Sequence, residues 1–171
     1  MSDDSENSDI IRVPMTVPTE ELLRPIISNW FTNGVIDPSA FNISTTDRKL
    51  DNNRMSIARG SATTPEHAYQ AKLGAIKERC ELVGKPYNAP VGVLAVTVEE
   101  VESVEVKSPQ GGVVRQPLTA WDDSMNENRP ADHGHIDFSS VPADDKGACL
   151  LAAKQLLKLA MERDWKYLPS D

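Results

Sequence analysis

Pro90-Val91-Gly92-Val93-Leu94-Ala95-Val96-Thr97-Val98-Glu99-Glu100 sets the frame for the chain. An unbroken apolar run of strand length predicts a central strand covered on both faces, because a half-exposed strand would alternate apolar and polar residues. Thr97 and Glu100 stand three apart, the spacing of a capping box, so the strand should turn directly into a short helix through about Glu102. Val104-Glu105-Val106 alternates and reads as the next strand. Pro109-Gln110-Gly111-Gly112 then turns the chain toward Val113-Val114 as a hairpin partner.

Upstream of this run, Thr64 caps a helix with Pro65 at its first position, where the missing N–H has no helical partner to lose. Tyr69, Leu73, Ile76, Cys80 and Val83 recur at helical spacing and predict a buried stripe, with Gly84 and Pro86 ending the element. Arg54-Met55-Ser56-Ile57-Ala58 alternates as a strand, and Ala40-Phe41-Asn42-Ile43 reads as another. Ile10 to Val17 is β-branched, but Pro14 suits it to an edge strand or an extended lead-in. Thr19-Glu20-Glu21-Leu22-Leu23 reads as a helix start, with Pro25 either kinking a helix that runs to about Phe31 or occupying the first turn of a shorter one, and Asn33-Gly34 ending both.

Downstream, residues 117–132 form a long polar loop around Trp121, and His133 to Ser139 reads as a strand. Asp144 or Asp145 caps a heavily buried helix running to about Arg163, and Trp165-Lys166-Tyr167-Leu168 ends the chain as a short edge strand. These elements predict an α+β fold. It is a single domain with a mixed or mainly antiparallel sheet, covered on one side by two main helices.

The chain has 171 residues with 26 acidic against 18 basic ones, a net charge of -8. Asp3, Asp4, Glu6 and Asp9 fall within residues 1–9 with no basic residue beside them, so half of that charge is expected in a disordered acidic tail ahead of a domain over 10–171. An acidic body disfavours nonspecific nucleic-acid binding, which needs a basic excess. No run approaches the roughly 18 apolar residues of a membrane span, and Met1-Ser2-Asp3-Asp4 is unlike a secretory leader, so a cytoplasmic location without membrane contact is expected. Cys80 and Cys149 both lie within helical patterns and predict neither a disulfide framework nor a Cys-based zinc site.

Chemistry concentrates in Asp132-His133-Gly134-His135-Ile136-Asp137-Phe138. On a strand, His133, His135 and Asp137 share one face at ~6.6 Å intervals while Ile136 and Phe138 face the core. Two imidazoles and a carboxylate on one face suit metal ligation or acid/base catalysis near neutral pH. Phe138 stands where the metallo-β-lactamase pattern needs another histidine, and the zinc-deaminase pattern is absent. Arg54 and Ser56 share a strand face and could hold a phosphate or carboxylate, with Arg59 beyond them at the strand end and Trp121 on the long loop.

Two function classes follow. The first is an intracellular binding or accessory protein that recognises a small anionic ligand or a protein partner through Arg54, Ser56, Arg59 and Trp121. The second is a metal-assisted or His-based hydrolase acting on a phosphodiester or nucleotide. Its ligands or catalysts would be His133, His135 and Asp137, its cofactor a divalent metal, and its fourth ligand one of Asp51, His67, Asp122 or Asp123.

Overall fold

The computed structural model describes residues 10–44, 47, 53–111, 116–141 and 145–170. The expected tail over 1–9, the Val113-Val114 hairpin partner, Asp51 and Asp144 lie outside them. Among the described residues the fold is α+β, built on a six-stranded sheet in which every neighbouring pair is antiparallel. Its strands are β1 (Val13–Pro14), β2 (Glu21–Ile26), β5 (Arg54–Arg59), β6 (Gly92–Thr97), β7 (Thr119–Asp122) and β8 (His133–Asp137), in the order β1-β7-β8-β5-β2-β6. A separate hairpin pairs β3 (Phe31–Thr32) with β4 (Val35–Ile36). The helices are α1 (Pro65–Leu82), α2 (Val98–Ser103) and α3 (Lys146–Glu162).

Each helix start follows its local chemistry. Thr64 Oγ1 accepts from the His67 N–H, Thr97 and Glu100 form the reciprocal capping box, and Asp145 accepts from the Ala148 N–H. Strand β6 is buried throughout, yet it is the last strand in the order and not a central one. Its outer edge is closed by backbone near the C-terminus: Val93 N–H donates to Tyr167 O at 3.0 Å and Lys166 N–H to Val93 O at 2.8 Å. The closure satisfies an edge that would otherwise be open to pairing.

Alternation along β2 and β6 decides what each face meets. Leu22, Ile26, Leu94 and Val96 join Phe41, Met55, Ile136, Phe138 and the α3 residues Ala152 and Leu156 in the main core. Leu23, Val93 and Ala95 face the other way and form a smaller cluster with Ala68 and Tyr69 of α1. The two long helices therefore lie on opposite faces and do not share one side as the sequence suggested. The stripe of α1 is buried at Tyr69 and Ile76 but emerges at Val83, which is exposed.

Three local expectations also change. Residues 19–31 are not a helix. Glu21–Ile26 pairs with β6 over all six residues, and the gain from burying Leu22, Leu23 and Ile26, at ~2 kcal/mol each, outweighs a local capping signal. Pro25 is tolerated because the ladder to β5 contains only Leu22 and Leu23, so the proline lies where β5 no longer pairs. Ala40 and Phe41 belong to a 3-10 turn over Pro38–Phe41, capped by Asp37 accepting from the Ser39 N–H. The 117–132 stretch is not all loop, since it supplies β7, and Val104-Glu105-Val106 is not a strand although Val104 and Val106 are buried.

Gly134 separates the two strand histidines and lets three strands approach. A Cβ there would lie 2.8 Å from Trp121 O and 2.9 Å from Ile57 Cδ1. Gly134→Ala is expected to cost roughly 1–3 kcal/mol in a denaturant titration. An unchanged midpoint would show that this spacing is not constrained.

Candidate functional site

The register joins the two patches that the sequence presents separately. In the β5–β8 ladder Arg54 lies opposite Asp137, Ser56 opposite His135 and Ala58 opposite His133. Directly opposed residues point to the same face, so Arg54, Ser56, His133, His135 and Asp137 form one surface. The β7–β8 ladder adds Trp121 opposite His135 and Thr119 opposite Asp137.

Asp123, just after β7, is wholly buried and holds both histidines. Its Oδ1 lies 2.6 Å from His133 Nδ1 and its Oδ2 lies 2.7 Å from His135 Nδ1. The opposite ring nitrogens meet guanidinium groups: Arg129 Nη1 is 3.2 Å from His133 Nε2, and Arg12 Nη1 is 3.1 Å from His135 Nε2. A guanidinium can only donate, so each Nε2 must accept and each Nδ1–H must donate to Asp123. Both imidazoles are thereby fixed as neutral rings of one tautomer.

Arg12 also donates to Asp137 Oδ2 at 2.6 Å and stacks on Trp121, its Cζ 3.8 Å from the ring centroid. Trp121 therefore supports an arginine of the site. Arg59 turns to the other side, pairing with Asp122 at 3.2 Å and donating to Ala131 O at 2.7 Å, which ties β5 to the loop before β8. Arg54 Nε is buried with no hydrogen-bond partner among the described residues. His67 is exposed in the first turn of α1. Of the expected metal donors, His133, His135 and Asp123 do meet, but they hydrogen-bond one another and leave no shared point for a metal ion. Both Nδ1 atoms are engaged by Asp123, Asp137 is engaged by Arg12, and no group of three His, Cys, Asp or Glu among the described residues is arranged to hold a metal ion.

Beside this network runs a cleft that the sequence did not reveal. Helix α1 presents Ala68, Ala71 and Ala75 toward β5, side chains too small to fill the space beneath. A cavity of about 310 Å³ remains, reaching Ser56, His133 and Asp132. Arg24, Trp30, Ser56 and Lys72 also line an adjoining cavity of about 750 Å³ that extends to Asp47 and Arg79. The Arg24 guanidinium donates to Ser56 O at 2.8 Å and Ala40 O at 2.9 Å, filling the gap where β2 and β5 part. Burial pushes Arg24 down to about 10, against the attraction of Asp47. Burial, then Arg24 and Arg79, push the Lys72 ammonium below its ordinary value. Nothing in the sequence marks this cluster, because Arg24 reads there as part of a helix and Lys72 as an ordinary helix-surface charge.

Comparison with protein families, with curated proteins and with solved structures finds no match for the chain. No helix among the described residues is long and apolar enough to cross a membrane.

Burial acts first on Asp123 and would raise its carboxyl, but the hydrogen bonds and charges of His133 and His135 outweigh it and hold the group well below the usual carboxylate range. Burial lowers His135, opposed by Asp123 and reinforced by Arg54 and Arg12. Asp137 is also held low, because Arg12 and Ser139 outweigh its burial. These groups bind protons less readily folded than unfolded, so acid favours unfolding. Their stabilisation is complete above the ordinary histidine value of ~6.5, declines below it, and declines further below ~4 as unfolded carboxylates protonate. His135→Phe is expected to destabilise the protein by about 2 kcal/mol at neutral pH and to flatten the fall in unfolding midpoint between about pH 7 and 5. An unchanged slope would remove His135 from the proton linkage.

Proposed function

We propose that the protein is a binding protein for a small anionic ligand, a carboxylate or phosphate, taken up in the cleft between α1 and strands β5 and β8. The observation that carries this reading is the convergence of Arg24, Lys72 and Arg79 on one cavity with Asp47 as the counter-charge among its lining residues. In a chain of net charge -8, such a local cation excess is costly without an anion to offset it. Arg24 stacks over Trp30 at 4.9 Å and is held by two carbonyls, which gives the cleft a preorganised donor. Arg54 and Ser56 extend the polar surface toward the histidines, so an elongated ligand would span both parts.

Lys72 is the residue to change, because it lines the cavity with Arg24 and Arg79 and Lys72→Glu reverses the charge offered to a ligand. Inorganic phosphate or succinate at about 100 times its Kd should stabilise the native protein by about 2.7 kcal/mol, raising the Tm by several degrees. Lys72→Glu is expected to weaken the response at least about tenfold in ligand concentration. No shift with either anion, or an equal response from the variant in differential scanning fluorimetry, would contradict the reading.

A further inference from the structure

Ser56 and His133 belong to both the histidine network and the cleft. Ser56 Oγ lies 3.2 Å from His133 Nε2, and His133 Nδ1 lies 2.6 Å from Asp123 Oδ1. Hydroxyl, imidazole and buried carboxylate thus stand in the order of a base-activated serine. The tautomer is the required one, since Nδ1–H is committed to Asp123 and the Nε2 lone pair faces the hydroxyl. Asp123 has no exposed surface and also accepts from His135 at 2.7 Å, so the carboxylate cannot swing away from His133 without breaking a second bond. Ser56 lines both cavities.

We propose that Ser56 is a nucleophile, His133 its general base and Asp123 the positioning residue of a hydrolase for carboxylic esters whose acyl part carries an anionic group. The inference rests on the anion-binding reading of the cleft, which supplies Lys72 and Arg79 as the seat of that group. Ser56 Oγ attacks the ester carbonyl while its proton passes to His133 Nε2. Negative charge on the carbonyl oxygen develops beside Arg24, whose guanidinium already reaches Ser56 O at 2.8 Å, in a partly enclosed space where a fixed cation acts strongly. As the intermediate collapses, the bond to the alkoxide breaks and His133 returns the proton to that leaving group, leaving Ser56 acylated. Water, deprotonated by His133, then releases the carboxylic acid and restores the hydroxyl. Arg129 holds the same Nε2 lone pair from 3.2 Å before substrate enters, so its displacement is the step that frees His133 to take the proton.

The test uses the full chain with a fluorophosphonate probe and with para-nitrophenyl hydrogen succinate, which carries a carboxylate. Intact-mass and peptide analysis should place one adduct on Ser56. Ser56→Ala and His133→Gln should lower hydrolysis of the succinate ester at least about 100-fold while retaining the native far-UV circular dichroism, which reports that the fold is intact. The neutral para-nitrophenyl butyrate should be the poorer substrate, and Lys72→Glu should narrow the difference through KM. Asp123→Asn should lower kcat in protein whose phosphate-induced Tm shift and active-site titre are unchanged, which separates a positioning role from loss of folded enzyme. Phosphate binding without labelling of Ser56 would overturn the nucleophile and leave the anion site standing. Loss of both responses would overturn the two together, and an adduct on another serine would overturn the assignment.

Discussion

One buried carboxylate organises the polar half of this protein. Asp123 has no exposed surface, and it is stable there because two imidazole N–H groups converge on it from alternate positions of β8. Its charge makes both rings donate through Nδ1, which leaves both Nε2 atoms as acceptors for Arg12, Arg129 and Ser56. The positions of the arginines, and the stacking of Arg12 on Trp121, follow from that choice. Removing the carboxylate would leave two buried donors without an acceptor and two guanidinium groups without the negative charge that offsets them.

The sheet makes this arrangement possible by treating its two faces differently. The main core lies on one face beneath α2 and α3, where aliphatic side chains and two phenylalanines are buried. On the other face α1 covers only the β2–β6 end, through Tyr69 and a small cluster. The β1-β7-β8-β5 end is left to polar residues, and the alanines of α1 leave the cleft between the two regions. Aliphatic packing is concentrated on one face and the polar network on the other, with Ser56 beside the cleft.

Much of the fold and part of this site can be read from the sequence. Period-two alternation in His133–Asp137 and Arg54–Ala58 placed the right side chains on common faces, and the Thr64, Thr97 and Asp145 caps marked helix starts with local chemistry that tertiary structure did not alter. The β5–β8 register could not be read, because strand pairing is a nonlocal choice. Knowing that Arg54 opposes Asp137 was needed to see one surface in place of two. Glu21–Ile26 misled for the related reason that its pairing with β6 overrides a local helix signal. Asp123 was visible only as one of four candidate partners for the histidines, beside Asp51, His67 and Asp122, since burial, which distinguishes it, belongs to the fold. Arg24, Lys72 and Arg79 come together from two distant segments and carry no motif.

The central claim is that Asp123 fixes both histidines as neutral Nδ1–H tautomers with Nε2 left to accept. Nitrogen-15 NMR of the histidine rings at neutral pH tests it directly. The account predicts protonated Nδ1 and unprotonated Nε2 for His133 and His135. Protonated Nε2 on either strand histidine, or a fully protonated ring at neutral pH, would contradict the network from which the Ser56 nucleophile is argued.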